Sequence, residues 1–125
     1  MAYYDNKPSK LEAVGNGSHI YRWNIEEITV APAQGESEKT RKQWACDEVT
    51  VWEPFSREKI TEAVIVSRWE GNVEKKLIND YNAAMAGLYD KDETVARIKA
   101  YTDFLTERAA LKTQVKSDCE ELGIL

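Results

Sequence analysis

The hydrophobic period of this sequence changes at Pro54, and that change constrains the fold more than any other feature. Before Pro54 the apolar residues alternate with polar ones, the period-two mark of strands. After it they recur near every third and fourth position, the mark of helices with one buried face. A chain of this kind reads as α+β, with a β part over 1–54 and a helical part over 55–125. At 125 residues it suits one domain spanning 1–125, long enough to bury a core without disulfide or metal staples.

The first part predicts a three-stranded antiparallel β-meander. Lys10 to Val14 is short and half apolar. Gly15 to Ser18 is a turn cluster, since Gly and Asn accept the positive φ of tight hairpins. His19 to Val30 follows as a long strand, Ala31 to Lys42 as a polar loop, and Gln43 to Pro54 as a strand stopped by proline. Pairing the two long strands about Glu36 sets Tyr21 against Val51, Trp23 against Val49, Glu26 against Cys46 and Ile28 against Trp44. The alternation slips a phase at Glu26–Glu27, and in this register a second slip at Asp47–Glu48 lies beside it. Paired bulges would return all the apolar residues to one face. A twisted ribbon could instead bury one face at one end and the other face at the other. The two-faced ribbon fits slightly better, because Ile20 and Trp52 already oppose the Tyr21–Trp23 face.

The second part predicts two shorter helices and one long helix folding back as a helical hairpin. Ser56 is placed to cap Arg57 to Trp69, whose apolar set is Ile60, Ala63, Val64, Ile65, Val66 and Trp69. Gly71-Asn72 marks a break, with Asn72 as the expected cap of the next helix. There Val73, Leu77, Tyr81, Ala84, Met85 and Leu88 form one stripe, and Gly87 fits the C-terminal end. Asp90 with Glu93 is a capping-box variant opening a helix over Lys91 to Leu122. Its expected stripe is Ile98, Tyr101, Leu105, Arg108, Leu111, Val115 and Leu122. This helix has more length than a three-stranded sheet can cover, so part of its stripe is expected to await a partner.

Charge and cysteine content narrow the classes. The chain has 17 basic and 22 acidic residues, net −5, and no basic run, which argues against binding a phosphate backbone. Cys46 and Cys119 are too few for a disulfide framework. The opening residues hold no apolar core of signal-peptide length and no stretch approaches a membrane span, so the expected place is the cytoplasm, with reduced thiols, or outside the cell by a route needing no signal, such as lysis.

Side chains that could carry chemistry are few. Glu26, Glu27, Asp47 and Glu48 could cluster across the ribbon as the paired acids of a small hydrolase. Yet adjacent strand residues point to opposite faces, so at most one of each pair meets its counterpart. His19 has no serine or cysteine tied to it by a family signature, and Cys46 and Cys119 lack metal-ligand spacing with it. No catalytic residue, metal or cofactor is expected. Cys46 reads as a small apolar packing residue and Cys119 as partly exposed. Trp23, Trp44, Trp52 and Trp69 read first as core and second as docking anchors, since Trp, Tyr and Arg are favoured at interfaces.

Three stretches carry a family likeness: Trp44 to Trp52 ("WACDEVTVW"), Leu77 to Asn82 ("LINDYN") and Phe104 to Lys112 ("FLTERAALK"). With their surroundings they resemble small proteins encoded among the tail genes of bacterial viruses and prophages, those of Bacteroides-type hosts above all. The resemblance implies a tail or tail-fibre accessory or assembly protein, and carries over no active-site residue. The resulting expectation is a non-catalytic interaction module that docks to a protein partner, such as a tail or tail-fibre protein, or to a second copy. Tyr21, Trp23, Trp44, Trp52, Tyr101, Leu105, Leu111 and Val115 are the expected partner-binding residues, with neither nucleic acid nor membrane as a partner.

Overall fold

The computed structural model describes residues 1–31 and 40–125. The expected register centre at Glu36, and most of the Ala31–Lys42 loop, lie outside the described residues. The chain is α+β, a four-stranded antiparallel sheet and three helices, the last one long. It divides into two compact units, Met1–Phe55 and Ser56–Leu125.

The sheet unit contains β1 (Ala2–Tyr4), β2 (Leu11–Ala13), β3 (Ser18–Val30) and β4 (Arg41–Trp52), in the order β1-β4-β3-β2. The expected meander is present as β2-β3-β4. The addition is β1, which pairs Ala2 with Cys46 and Tyr4 with Trp44 on the outer edge of β4. The β3–β4 register differs from the expected one. Tyr21 faces Val49, Trp23 faces Asp47, Glu26 faces Ala45 and Ile28 faces Gln43.

The physical reason is a bulge. Between the Trp23–Asp47 and Glu26–Ala45 pairs, β3 spends two residues, Asn24 and Ile25, against the single residue Cys46. Asn24 takes φ 52°, a left-handed value that asparagine accepts more readily than most residues. The extra residue restores the phase, so Ile28 and Val30 return to the face of Tyr21 and Trp23. β4 has no matching bulge. Its Val49 and Val51 share the Tyr21 face, whereas Trp44 and Cys46 lie on the other. Of the two explanations of the glutamate slip, β3 follows the bulge and β4 follows the two-faced ribbon.

Because β1 and β2 flank opposite edges, Asp5–Lys10 must cross the sheet to join them. It crosses the face that carries Trp44, Cys46, Arg22 and Glu48. The Lys7 ammonium lies 5.5 Å from the centre of the Trp44 ring, and the Arg22 Nη1 donates to the Ser9 carbonyl at 3.2 Å. Arg22 is the clasp of this strap and is 1% exposed.

The helical unit contains α1 (Arg57–Arg68), α2 (Gly71–Met85) and α3 (Lys91–Leu122). Ser56 caps α1 through the Lys59 N–H, and Asp90 caps α3 through the Glu93 N–H, both as expected from their side-chain oxygens. The α2 cap differs from the expectation. Glu70 is the cap residue, its backbone carbonyl taking the first bonds from Val73 and Glu74, and Asn72 lies inside the first turn. Only Glu70 separates the two helices after the α1 cap residue Trp69, so the chain has no room for an asparagine cap. Gly123 ends α3 in the left-handed region at φ 74°, which lets Ile124 donate to the Cys119 carbonyl.

α1 and α2 run in succession back along α3. Arg57 approaches Glu120, Arg68 pairs with Glu107, Arg108 approaches Glu74 and Arg97 pairs with Asp80. The core between them is Ile65, Trp69 and Phe104, with Leu77, Tyr101 and Leu111 packed on it. The Trp69 and Phe104 rings meet edge to face at 4.9 Å.

A candidate protein-interaction surface

Two interleaved stripes run along α3. Tyr101, Phe104, Arg108, Leu111, Val115 and Cys119 follow 3–4 spacing and turn inward, Phe104, Val115 and Cys119 being buried. Beside them Val95, Thr102, Leu105 and Ala109 turn outward, with Ile98 half-buried at the boundary between the two stripes. The stripe expected through Leu105 is therefore corrected: Leu105 is 45% exposed, and its neighbour Phe104, at 5%, is the inward residue. Leu122, expected on the same stripe, is also exposed. Val95, the first residue of the outer stripe, is 60% exposed.

The outer stripe does not stand alone. On α2, Ile78 and Met85 are exposed and fall on one line of the helix. With the ion pair of Asp80 and Arg97 and the Tyr81–Tyr101 stack fixing which sides meet, the two apolar lines turn to the same side of the antiparallel pair. On that side α1 and α3 enclose a groove of about 750 Å³. Ile65 and Val66 contribute apolar lining, and Glu62, Glu74, Arg108 and Lys112 contribute charges of both signs. The Arg108 Nε is buried, 3.6 Å from the Glu74 carboxylate and without a hydrogen-bond partner.

The eight residues expected to bind a partner are not brought together. Tyr21, Trp23 and Val115 are buried, Trp44, Tyr101 and Leu111 half-buried, and Trp52 and Leu105 exposed. Val66, Ile78, Met85 and Val95 are exposed apolar residues outside that set. The 3–4 spacing from Val95 to Ala109 is the sequence signal that could have found the outer stripe, one residue out of step with the inward one.

The ribbon acids are separated. Glu26 and Asp47 belong to the Tyr21 face, Glu27 and Glu48 to the Arg22 face. Glu27 pairs with Lys42 at 3.1 Å, and Asp47 accepts from the Asn24 amide at 3.0 Å. Glu48 accepts from the Tyr4 hydroxyl and, at 3.0 Å, from the Arg22 Nε. Arg22 also donates to the Tyr4 oxygen, Glu12 and the Ser9 carbonyl, so four acceptors surround one guanidinium. Burial opposes its charge, but the hydrogen bonds to Tyr4, Glu48 and Glu12 outweigh that and hold its pKa above the ordinary value. The bond to the Glu48 carboxylate, with burial, pushes the Tyr4 phenol up.

His19 meets the Phe55 ring edge-on at 4.7 Å, and its Nδ1 is 3.5 Å from the Glu53 carboxylate. Among the described residues no three His, Cys, Asp or Glu side chains converge as metal ligands. Cys46 and Cys119 are both buried, and burial above all raises both thiols. The expectation of a partly exposed Cys119 is thereby corrected: it lies on the inward stripe of α3. Among the described residues no helix is long and apolar enough to cross a membrane. No protein-family model, curated protein or solved structure matches the chain.

Proposed function

We propose that this protein is a non-catalytic interaction module that assists the assembly of a phage or prophage tail or tail fibre. It docks to a partner protein through the apolar side of its helical unit. The observation that carries this reading is the outer stripe of α3. Val95 and Leu105 stay in solvent although the same helix buries Phe104 and Val115. A contiguous apolar face left on the surface marks an interaction site more often than a stability device. The separation of Glu26 from Glu48 on opposite sheet faces favours docking over paired-acid chemistry. The tail setting comes from the resemblance carried by Trp44 to Trp52, Leu77 to Asn82 and Phe104 to Lys112, and with it a place in the host cytoplasm or on the virion.

A photo-activated cross-linker in place of Leu105, expressed in a host producing particles, tests the reading. The expected result is an adduct with a tail or tail-fibre protein that is lost when the probe replaces Ala100 on the opposite flank of α3. Equal adducts at both positions, or none at Leu105, would remove the docking role of this face.

A further inference from the structure

We propose that Asn16 is a site of spontaneous covalent conversion, at which the turn between β2 and β3 promotes the change of its own asparagine into aspartate and isoaspartate. The site lies in the sheet unit and is independent of the docking reading.

The turn cluster Gly15 to Ser18 joins β2 to β3, and the Val14 N–H closes it on the Ser18 carbonyl at 3.1 Å. Asn16 and Gly17 are exposed, whereas Ser18 is buried. The Asn16 Oδ1 accepts twice from Ser18, from its backbone N–H at 3.1 Å and from its hydroxyl. Two donors on one carbonyl oxygen draw electron density from the Cγ carbon. They also stand where negative charge gathers when a nucleophile adds to that carbon. The adjacent nucleophile is the Gly17 nitrogen. Its N–H takes part in no hydrogen bond among the described residues, and a Cβ at Gly17 would meet nothing within 4 Å. Solvent base can therefore reach it and remove its proton.

The Gly17 nitrogen then bonds to the Asn16 Cγ, the Cγ–Nδ2 bond breaks, and Nδ2 leaves as ammonia. A cyclic imide remains, and water opens it without any oxidant or reductant. Addition at Cγ restores the main chain, with aspartate in place of Asn16. Addition at the backbone carbonyl carbon leaves the chain running through the side chain, as isoaspartate. Both products add a negative charge, and isoaspartate also lengthens the main chain just before Gly17. The Gly17 carbonyl accepts from the Glu53 N–H at 2.8 Å, beside the Ser18–Trp52 pair that opens the β3–β4 ladder. The isoaspartyl form displaces that acceptor and loosens this end of the ladder.

Mass spectrometry of the whole chain, incubated in mildly alkaline buffer and then digested, reads the conversion. Cleavage after Lys10 and Arg22 releases Leu11–Arg22, in which Asn16 is the only asparagine. The expected result is two new forms of this peptide, each with an acid at the Asn16 position, one of them labelled by an isoaspartyl methyltransferase, both forming faster as pH rises. Ser18→Ala slows the conversion about fivefold, the effect of one hydrogen bond of ordinary net strength, and Ser18→Thr restores it. In urea the original chain and Ser18→Ala convert alike, because the effect belongs to the folded turn. Native protein that stays unconverted while the urea-unfolded chain converts overturns the proposal, since the fold then protects Asn16. Ser18→Ala protein that converts as fast as the original, or faster, overturns the role of Ser18. A Glu53 amide that exchanges no faster in the isoaspartyl form than in Asn16→Asp overturns the loosening.

Discussion

The two units differ in how many partners they gather around a buried charge and in how much apolar surface they leave in solvent. The sheet unit draws charge inward. Arg22 is out of solvent, with Tyr4, Glu12, Glu48 and the Ser9 carbonyl arranged around it. The helical unit buries one acid as well, Asp118, which accepts from the Gln114 amide, but keeps ion pairs such as Lys76–Asp80 and Lys99–Asp103 near the surface and leaves Val95, Leu105 and Met85 in solvent. A buried charge with several partners tolerates one geometry, because each lost partner leaves a desolvated group behind. An apolar helix face is non-directional and accepts many partners. Shape is thus the province of the sheet, and contact that of the helices.

The strongest test of that division lies within α3. Phe104→Ala is expected to cost about 3–4 kcal/mol, because it empties a site against Trp69. Leu105→Ala should stay within about 0.5 kcal/mol in urea unfolding. Similar losses at both positions would place Leu105 in the core and break the contrast. Next in size is Arg22→Met, expected to cost about 3 kcal/mol by stranding Glu48 and Tyr4, with Glu12 less affected because it is more exposed. A neutral outcome would mean that the strap is held by packing alone. Third, Asn24→Val should cost about 1–2 kcal/mol, because a β-branched residue resists the positive φ of the bulge, while Asn24→Gly should be close to neutral. Amide exchange along β3 would show whether the loss begins beyond the bulge.

The smallest effect comes from the thiols, one in each unit. Both pKa values are raised in the fold, so the neutral thiol is the favoured form. Their stabilising contribution is present below the unfolded thiol value and is lost as pH rises through the folded one, on the alkaline side of about 9. At neutral pH, labelling of Cys46 and Cys119 by a thiol reagent should follow the opening of each unit. If the sheet is the more tightly specified, Cys46 labels more slowly. Equal rates would make the units one cooperative body.

Much of the helical unit was legible because its signals are local. Ser56, Asp90 and Gly87 act within a turn of their own positions, and the expected Lys91–Leu122 helix is the observed one. The inward and outward stripes were confused because Phe104 and Leu105 are adjacent and both apolar. The sheet was legible in β2, β3 and β4 but not in β1, since a three-residue strand has too few positions to display a period. The register failed by one or two residues because the bulge sits on Asn24, upstream of the glutamates that interrupt the alternation. Arg22 carried no local signal at all. An arginine in a strand reads as solvent-facing until a distant segment is known to cover it.

The strap has a consequence for the order in which the chain takes shape. Tyr4 and Glu48 are 44 residues apart, yet the first strand has no edge to join until the fourth exists. On a ribosome β1 emerges before its partner and must wait while the β2–β3 hairpin and then β4 follow. Only the late return of β1 and the strap behind it shuts water away from Arg22, so the strand that comes first in order is the last piece of the sheet to find its place.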